Sequence, residues 1–482
     1  MRTRHIFTAT LWAVLFLGFA QAQTGTNFYF NEVQLQRNNL NPAFESPYSV
    51  SVGIPGISGL NVRLENNFFS WDALVTRGAD DSLRFDVQRL IGKANRRSRI
   101  AATLDEEVLR VGWRHERNSF VIGLSVHADM QMVLGKETLS FFLQGPGAHI
   151  GNNTLPGNRF DFNSYAYLYF GYSRLINKNL SVGGRFKLIH GLYNFHTQDL
   201  KLKCNILNED MSDPELVPYQ YQMHIDGTFR TNLPIDNNFK MNGFSLSPFH
   251  LDPSAFPIQP FRNMGAAIDL GVDYRFDNGF EVSASVLDLG FIVWGDDNAA
   301  KFRSIQNNTD FKGIDINRIK KEGASALEVV KDMVSEVWDS LGLKRNDSVS
   351  GRYANMLPAS INLGFSYTLL DIHRFGVLLR GQFYNRYFAP EVGVSYTIMP
   401  CKNFALSVSN TFCSGNILNL GLSLAVNAGP VQFHIGVDRI NSFNVAKMRT
   451  ASVSFGINLV FGKSKYDWYT GDADYGEDDS GY

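Results

Sequence analysis

Residues 265–294 read "GAAIDLGVDYRFDNGFEVSASVLDLGFIVW", and the spacing of their side chains decides the fold. On one parity stand Ala266, Ile268, Leu270, Val272, Tyr274 and Phe276; on the other stand Gly265, Ala267, Asp269, Gly271, Asp273 and Arg275. Successive side chains of a strand point to opposite faces, so this period of two gives one oily face and one small or charged face. Asp277, Asn278 and Gly279 then supply residues that tolerate the positive φ of a tight hairpin turn. Phe280, Val282, Ala284 and Val286 resume the oily parity on the return arm. Each arm has about twelve residues, roughly twice the usual strand of a water-soluble sheet. Lipid is the solvent that calls for so long an apolar face.

The pattern recurs, most cleanly towards the C-terminus. Ile361 to Leu369, Leu418 to Val426, Val431 to Val437 and Ala451 to Phe461 each alternate apolar residues with Gly, Ser, Asn, Thr or His. Weaker versions occupy 109–113, 120–126, 162–172, 180–192, 375–383, 392–398 and 404–408. A water-soluble sandwich alternates too, so the connections must discriminate. The turns at 115–118, 175–178, 277–279, 371–373, 400–402 and 427–430 are short, whereas 66–106, 128–160, 231–262 and 293–357 are long. The long ones fall on one rim, as external loops do in an outer-membrane barrel. One connection, about 205–218, is longish yet falls on the turn side. The reading is all-β: an antiparallel transmembrane β-barrel of about fourteen strands, with sixteen as the alternative, whose long external loops carry short helices. Tyr274, Phe276 and Phe280 at a strand end suit an interfacial aromatic girdle, and cross-strand hairpin packing would place them equally well.

Residues 1–22 have the parts of a secretory signal: Arg2 and Arg4, an apolar run from Ile6 to Ala20, and a small-x-small site at Ala20 to Ala22. No run of eighteen apolar residues follows, which excludes helical spans. These features predict a barrel from 60 to 462, preceded by a periplasmic or lumen-entering segment at 23–59 and followed by an acidic, unstructured tail at 463–482. The expected location is the outer membrane of a Gram-negative bacterium, with outer-membrane lipid as the surrounding partner. Forty-five basic against 46 acidic residues give no reason to expect nucleic acid. The three cysteines, Cys204, Cys401 and Cys413, have no metal-ligand spacing, and the last two sit at opposite ends of one strand, too far apart to bond. No cofactor or metal is implied.

The lumen parity carries Arg185, Lys187, Asp269, Asp273, Arg275, Glu281, Arg374, Arg380 and His434. Mixed signs argue against a simple ion-selective ring and favour paired charges that brace the wall or grip a plug. The segment "NNLNPAFESPYS" is a candidate plug through Asn41, Pro42 and Phe44, because irregular backbone at membrane depth is tolerated where protein buries it. An ordinary periplasmic entry segment is the other reading of those residues. In the longest loop, 324–341 places Leu327, Val330, Val334, Val337 and Leu341 on one helical face, a candidate for capping the mouth, docking a protein partner or folding onto its own loop. Arg96, Arg97 and Arg99 form a basic run suited to anionic lipopolysaccharide or to plain solvation.

No nucleophile elbow, zincin or phosphate-loop motif is present. A hydrolase built on His434, Asp438 and Ser409 or Ser423 would need base and hydroxyl within hydrogen-bond reach, and His434 lies on the lumen parity rather than the lipid side. No enzyme is expected. Gly and Ser on the lumen parity tilt the reading towards a transporter or gated channel for small or hydrophobic solutes. The alternative is a non-conducting scaffold or secretion-associated barrel that binds a partner through its external loops. Oligomeric state stays open.

Four stretches together, "NNLNPAF", "VGIPGISGLNVRLEN", "DLGFIVWGDD" and "LPASINLGFSY", resemble an uncharacterised Bacteroidetes family of outer-membrane barrels. It is similar in style to the type IX secretion barrels of the PorV and PorP kinds and, more remotely, to long-chain fatty-acid transporter barrels. The resemblance covers nearly all of the chain after the signal and implies about fourteen strands, an N-terminal segment that can enter the lumen, and no reaction. One departure is that about twenty residues follow Phe461, where such barrels often end on an aromatic residue.

Overall fold

The computed structural model describes residues 25–44, 46–70, 72, 75–77, 83–85, 87–144, 149–208, 219–233, 261–295, 300–304, 307–308, 343–345, 352–384, 387–413, 417–440, 442, 444 and 447–463. The signal segment, the helix expected at 324–341 and the tail beyond Lys463 lie outside them.

Fourteen antiparallel strands close into a barrel. Strand β1 comes in two pieces, Tyr48–Gly53 and Leu60–Asn66. It is followed by β2 (Arg97–His115), β3 (Asn118–Gly135), β4 (Gly151–Leu175), β5 (Leu180–Asn208), β6 (Met264–Arg275) and β7 (Phe280–Trp294). The second half is β8 (Ala359–Leu369), β9 (His373–Tyr384), β10 (Tyr387–Cys401), β11 (Phe404–Phe412), β12 (Leu420–Ala428), β13 (Val431–Ile440) and β14 (Thr450–Lys463). Each strand pairs with its sequence neighbours, and both pieces of β1 pair with β14 and with β2, which closes the ring. Closure leaves no edge strand with unpaired backbone groups, the condition for crossing hydrocarbon as a sheet.

The alternation sorts as the quoted hairpin requires. Leu270 is 54 % exposed on the outside while its neighbour Asp269 is 0 % exposed within. The apolar outer face continues round the ring through residues such as Phe186, Phe291, Phe365, Val394 and Leu422. The short turns gather on one rim. At the one after β6, Asn179 and Lys178 reach Asp277 at 3.0 and 3.2 Å, and these hydrogen bonds hold its carboxyl below the usual range. Among the described residues two short helices, α2 (Val87–Lys93) and α3 (Lys136–Gln144), lie in connections on the long rim.

Three boundaries differ from the sequence reading. The barrel begins at Tyr48 rather than at 60, because "YSVSVG" already pairs on both sides. Between its two pieces, residues 54–59 loop out of the ladder around Gly56, whose φ of 78° suits glycine. The awkward connection at 205–218 is not a turn on the short rim. Strand β5 runs past the wall, β6 follows it only as far as His190, and Tyr219–Thr231 folds back on the protruding part as an extra strand outside the ring. With that strand outside the ring, the chain leaves β5 and enters β6 at the same, long rim. Finally, Arg97 and Arg99 belong to β2 itself rather than to a loop.

Candidate functional site

The lumen is occupied by the chain's own N-terminal segment. Residues 25–44 pass inside the barrel as one short helix, α1 (Thr26–Tyr29), a 3-10 turn at Leu35–Asn39 and the tight "NPAF" bend. Phe28, Tyr29, Phe30, Leu40 and Phe44 pack with Leu378 of the wall, all nearly inaccessible to solvent. Tyr29 meets Phe30 and Phe44 edge-on, with ring centres 5.1 and 5.0 Å apart. Inward-facing glycines make room for these rings. A Cβ on Gly376 would fall 2.5 Å from the Phe30 ring, and Gly364 and Gly436 stand in the same relation to Tyr29 and Phe28. The small lumen residues that favoured open space in the sequence are thus the seat of the segment.

The three plug candidates lie inside. Asn41 donates to the carbonyls of Val272 and Ala284 at 3.2 and 3.3 Å, and its Oδ1 accepts from the Ala43 amide at 2.9 Å. Pro42 lies over Gly183, and Phe44 lies beneath the Arg37 guanidinium, 3.9 Å from its carbon.

The mixed charges resolve into groups. In the first, Arg275 approaches Glu32 at 3.2 Å, Asp273 at 3.2 Å and Glu281 at 3.4 Å, while Arg374 holds Glu281 at 2.5 Å and also binds Glu32. Arg37 faces Glu32 and Glu281 at 3.6 Å each. Glu32 and Arg37 come from the inserted segment and the other four from the wall, so the cluster ties one to the other. In the second, Lys187 bridges Asp269 at 2.9 Å and Asp288 at 2.5 Å, and Arg185 reaches Asn38 Oδ1 at 2.5 Å and Asn39 Oδ1 at 3.0 Å. A third node is Glu107, which accepts from Tyr169 at 2.6 Å and from Gln36 of the segment at 3.2 Å.

Arg380 stands apart from these groups, opposite Glu391 in the ladder, and His434 packs edge-on against Phe28 with ring centres 5.9 Å apart. His434 therefore braces the segment, and Ser409 instead has Asp438 at 3.5 Å. Among the described residues, no cluster of His, Cys, Asp or Glu is arranged to hold a metal ion. No disulfide joins any of the three cysteines.

Counting by twos missed Asp288, which falls on the oily parity of β7. The register shifts between Ile268 and Leu270, and Asp288 adopts a φ of 58°, a bulge that turns its carboxylate inward beside Asp269. A signal was present: the oily residues move from even numbers up to Val286 to odd numbers from Leu289, and both Leu289 and Phe291 are outward and exposed. Above the bulge, Tyr165, Ile189, Ala267, Ile292, Trp294, Tyr353 and Leu357 form an apolar layer along the inner side of β4–β7 and the stretch leading into β8, with Trp294 fully buried.

Residues 42–438 match the model of the family of unknown function DUF5723. The chain belongs to that family. None of the curated proteins matches it. Among solved structures, this DUF5723 member is similar to the toluene transporter TbuX of Ralstonia pickettii, at 9% identity over 92% of this chain and 97% of that one, with a TM-score of 0.41. It is similar to a Pseudomonas aeruginosa FadL homologue at 10% identity over 92% and 99%, with a TM-score of 0.41. It is also similar to the toluene transporter TodX of Pseudomonas putida at 9% identity over 91% and 94%, with a TM-score of 0.40.

Proposed function

We propose that the protein is an outer-membrane transport barrel of a Gram-negative bacterium, a gated channel for small or hydrophobic solutes whose resting state is closed by residues 25–44. The observation that carries this reading is the ion cluster joining Glu32 and Arg37 of the segment to Arg275, Glu281 and Arg374 of the wall. A permanent filling is better built from apolar side chains, since a buried ion pair gains little over a well-packed hydrophobic replacement. A charged contact is suited to a segment that leaves, because water entering the lumen re-solvates both halves. After release, Arg185, Lys187, Asp269, Asp273 and Arg275 would line the path, with Arg380 and His434 beside it, and choose among solutes.

A non-conducting barrel that binds a partner is the second reading, favoured by the long hairpin of β4 and β5 and the added strand at Tyr219–Thr231 that stand beyond the ring. Planar-bilayer recordings separate the two. The wild type is expected to be mostly silent, and Glu32→Gln, which leaves three guanidiniums short of a counter-charge, to raise the open fraction by about tenfold or more, the equivalent of about 1.4 kcal/mol of the latch. If inserted Glu32→Gln and an inserted barrel lacking residues 25–44 are both silent, transport is refuted and the scaffold reading stands.

A further inference from the structure

On the long rim, beyond the apolar layer, the wall opens into a cavity of about 910 Å³. This is the size of a site for a substantial organic ligand. Its described lining includes Arg97 and Arg99 of β2, Arg159 of β4, His196 and Lys201 of β5, and Arg230 of the added strand. No Asp or Glu is among those lining residues. Two carboxylates lie behind them and are engaged: Asp161 with Arg159 and His196, and Glu65 with Arg63 at 3.4 Å and Arg99 at 3.8 Å. The ladder sets Asp226 opposite Lys201, which still leaves the wall basic. Arg97 and Arg230 make no ion pair among the described residues. Gln131 and Asn355 add amide donors and acceptors to the same space.

Cations brought together on low-dielectric walls at the expense of mutual repulsion create a field that an anion relieves. Guanidinium forks match the oxygens of phosphate and sulfate, and amides match hydroxyls. We infer that this cavity binds a phosphate- or sulfate-bearing saccharide at the long-loop mouth, independently of whether the lumen below conducts. The site was not legible in the sequence, where only the run at 96–99 stood out. Its other cations come from three further strands, and one of these lies outside the ring.

The test uses the mature protein in vesicles free of lipopolysaccharide, titrated calorimetrically with sucrose octasulfate and with sucrose. The sulfated probe is expected to bind, more weakly as salt rises, and neutral sucrose not to bind. The triple variant Arg97→Gln, Lys201→Gln, Arg230→Gln should lose about tenfold or more in affinity while keeping the heat-modifiable gel mobility of a folded barrel. Displacement of the probe by added lipopolysaccharide would assign the saccharide to a lipid headgroup, and failure to displace would assign it to a free solute. Wild type that does not bind the probe, equal binding of sucrose, or an unchanged affinity in the folded variant would overturn the inference.

Discussion

Asp269 and Leu270 are neighbours in the chain and face different surroundings. One carboxylate is wholly buried against Lys187, and the other side chain is 54 % exposed on the outer wall. This single-residue sorting was plain from the period of two. It has a quantitative consequence, because Leu270 sits midway along β6, where a charge would be drawn into hydrocarbon. Leu270→Arg is expected to destabilise the protein by about 2–4 kcal/mol in urea titrations of vesicle-bound barrel, and the same change at Tyr274, next to the turn, by about 0–1 kcal/mol. Equal costs at the two sites would show that the outer face of β6 does not contact lipid. Asp288 marks the limit of such counting, since its direction depends on a bulge that inserts one residue into the ladder. The shift from even to odd oily positions records that bulge without revealing which residue turns inward.

At the scale of elements, length alone does not say where a strand leaves the wall. Strand β5 continues from the ring into the protrusion as one strand, with register shifts in its ladders near Leu192 and between Gln198 and Lys201, and the departure is set by β6, whose ladder stops at His190. The protruding part of β5 pairs on one side with Tyr219–Thr231, Thr197 facing Phe229 and Gln198 facing Thr228, and on the other with the outer end of β4, Leu155 facing Leu202. Tyr219–Thr231 pairs in turn with Ala300–Ser304. Removing 198–229 and joining Thr197 to Arg230 takes partners from Gly151–Asn158 at the outer end of β4 and from 302–308, but leaves every rung of β5 with β6 and the β4–β5 rungs from Asp161 to Leu175 in place. The shortened chain is expected to fold, insert and keep its heat-modifiable mobility, although it loses Lys201 from the external cavity. Failure to insert would show that the added strand is needed to complete the barrel.

At the scale of the molecule, a ring of strands and an occupied lumen support each other. The segment satisfies inward polar groups, as Gln36 does for Asn458 and Asn41 for the carbonyls of Val272 and Ala284, while the ring keeps water from the aromatic rings of α1. In the resting protein Thr26 is 2 % exposed. A Thr26→Cys protein carrying alanines at Cys204, Cys401 and Cys413 should resist a membrane-impermeant maleimide. Adding Glu32→Gln should speed labelling by about tenfold or more, in step with the open fraction. Rapid labelling before that change would mean that the segment is not held in the lumen at rest.

Alternation, strand length and the grouping of short turns by themselves determined a lipid-facing barrel of about fourteen strands, because burial of a strand's two faces is a local property read at every second residue. The inward parity of Arg185, Lys187, Asp269, Asp273 and Arg275 was legible for the same reason. Their partners were not. Glu32 and Arg37 lie more than two hundred residues from Arg275 and Arg374, and the cavity cations are drawn from strands that meet only across the ladder. Only the tertiary structure decided that the glycines of the lumen seat aromatic rings rather than leave a passage. A missing side chain marks room in the sequence, and what fills that room depends on which distant segment the closed ring brings against it.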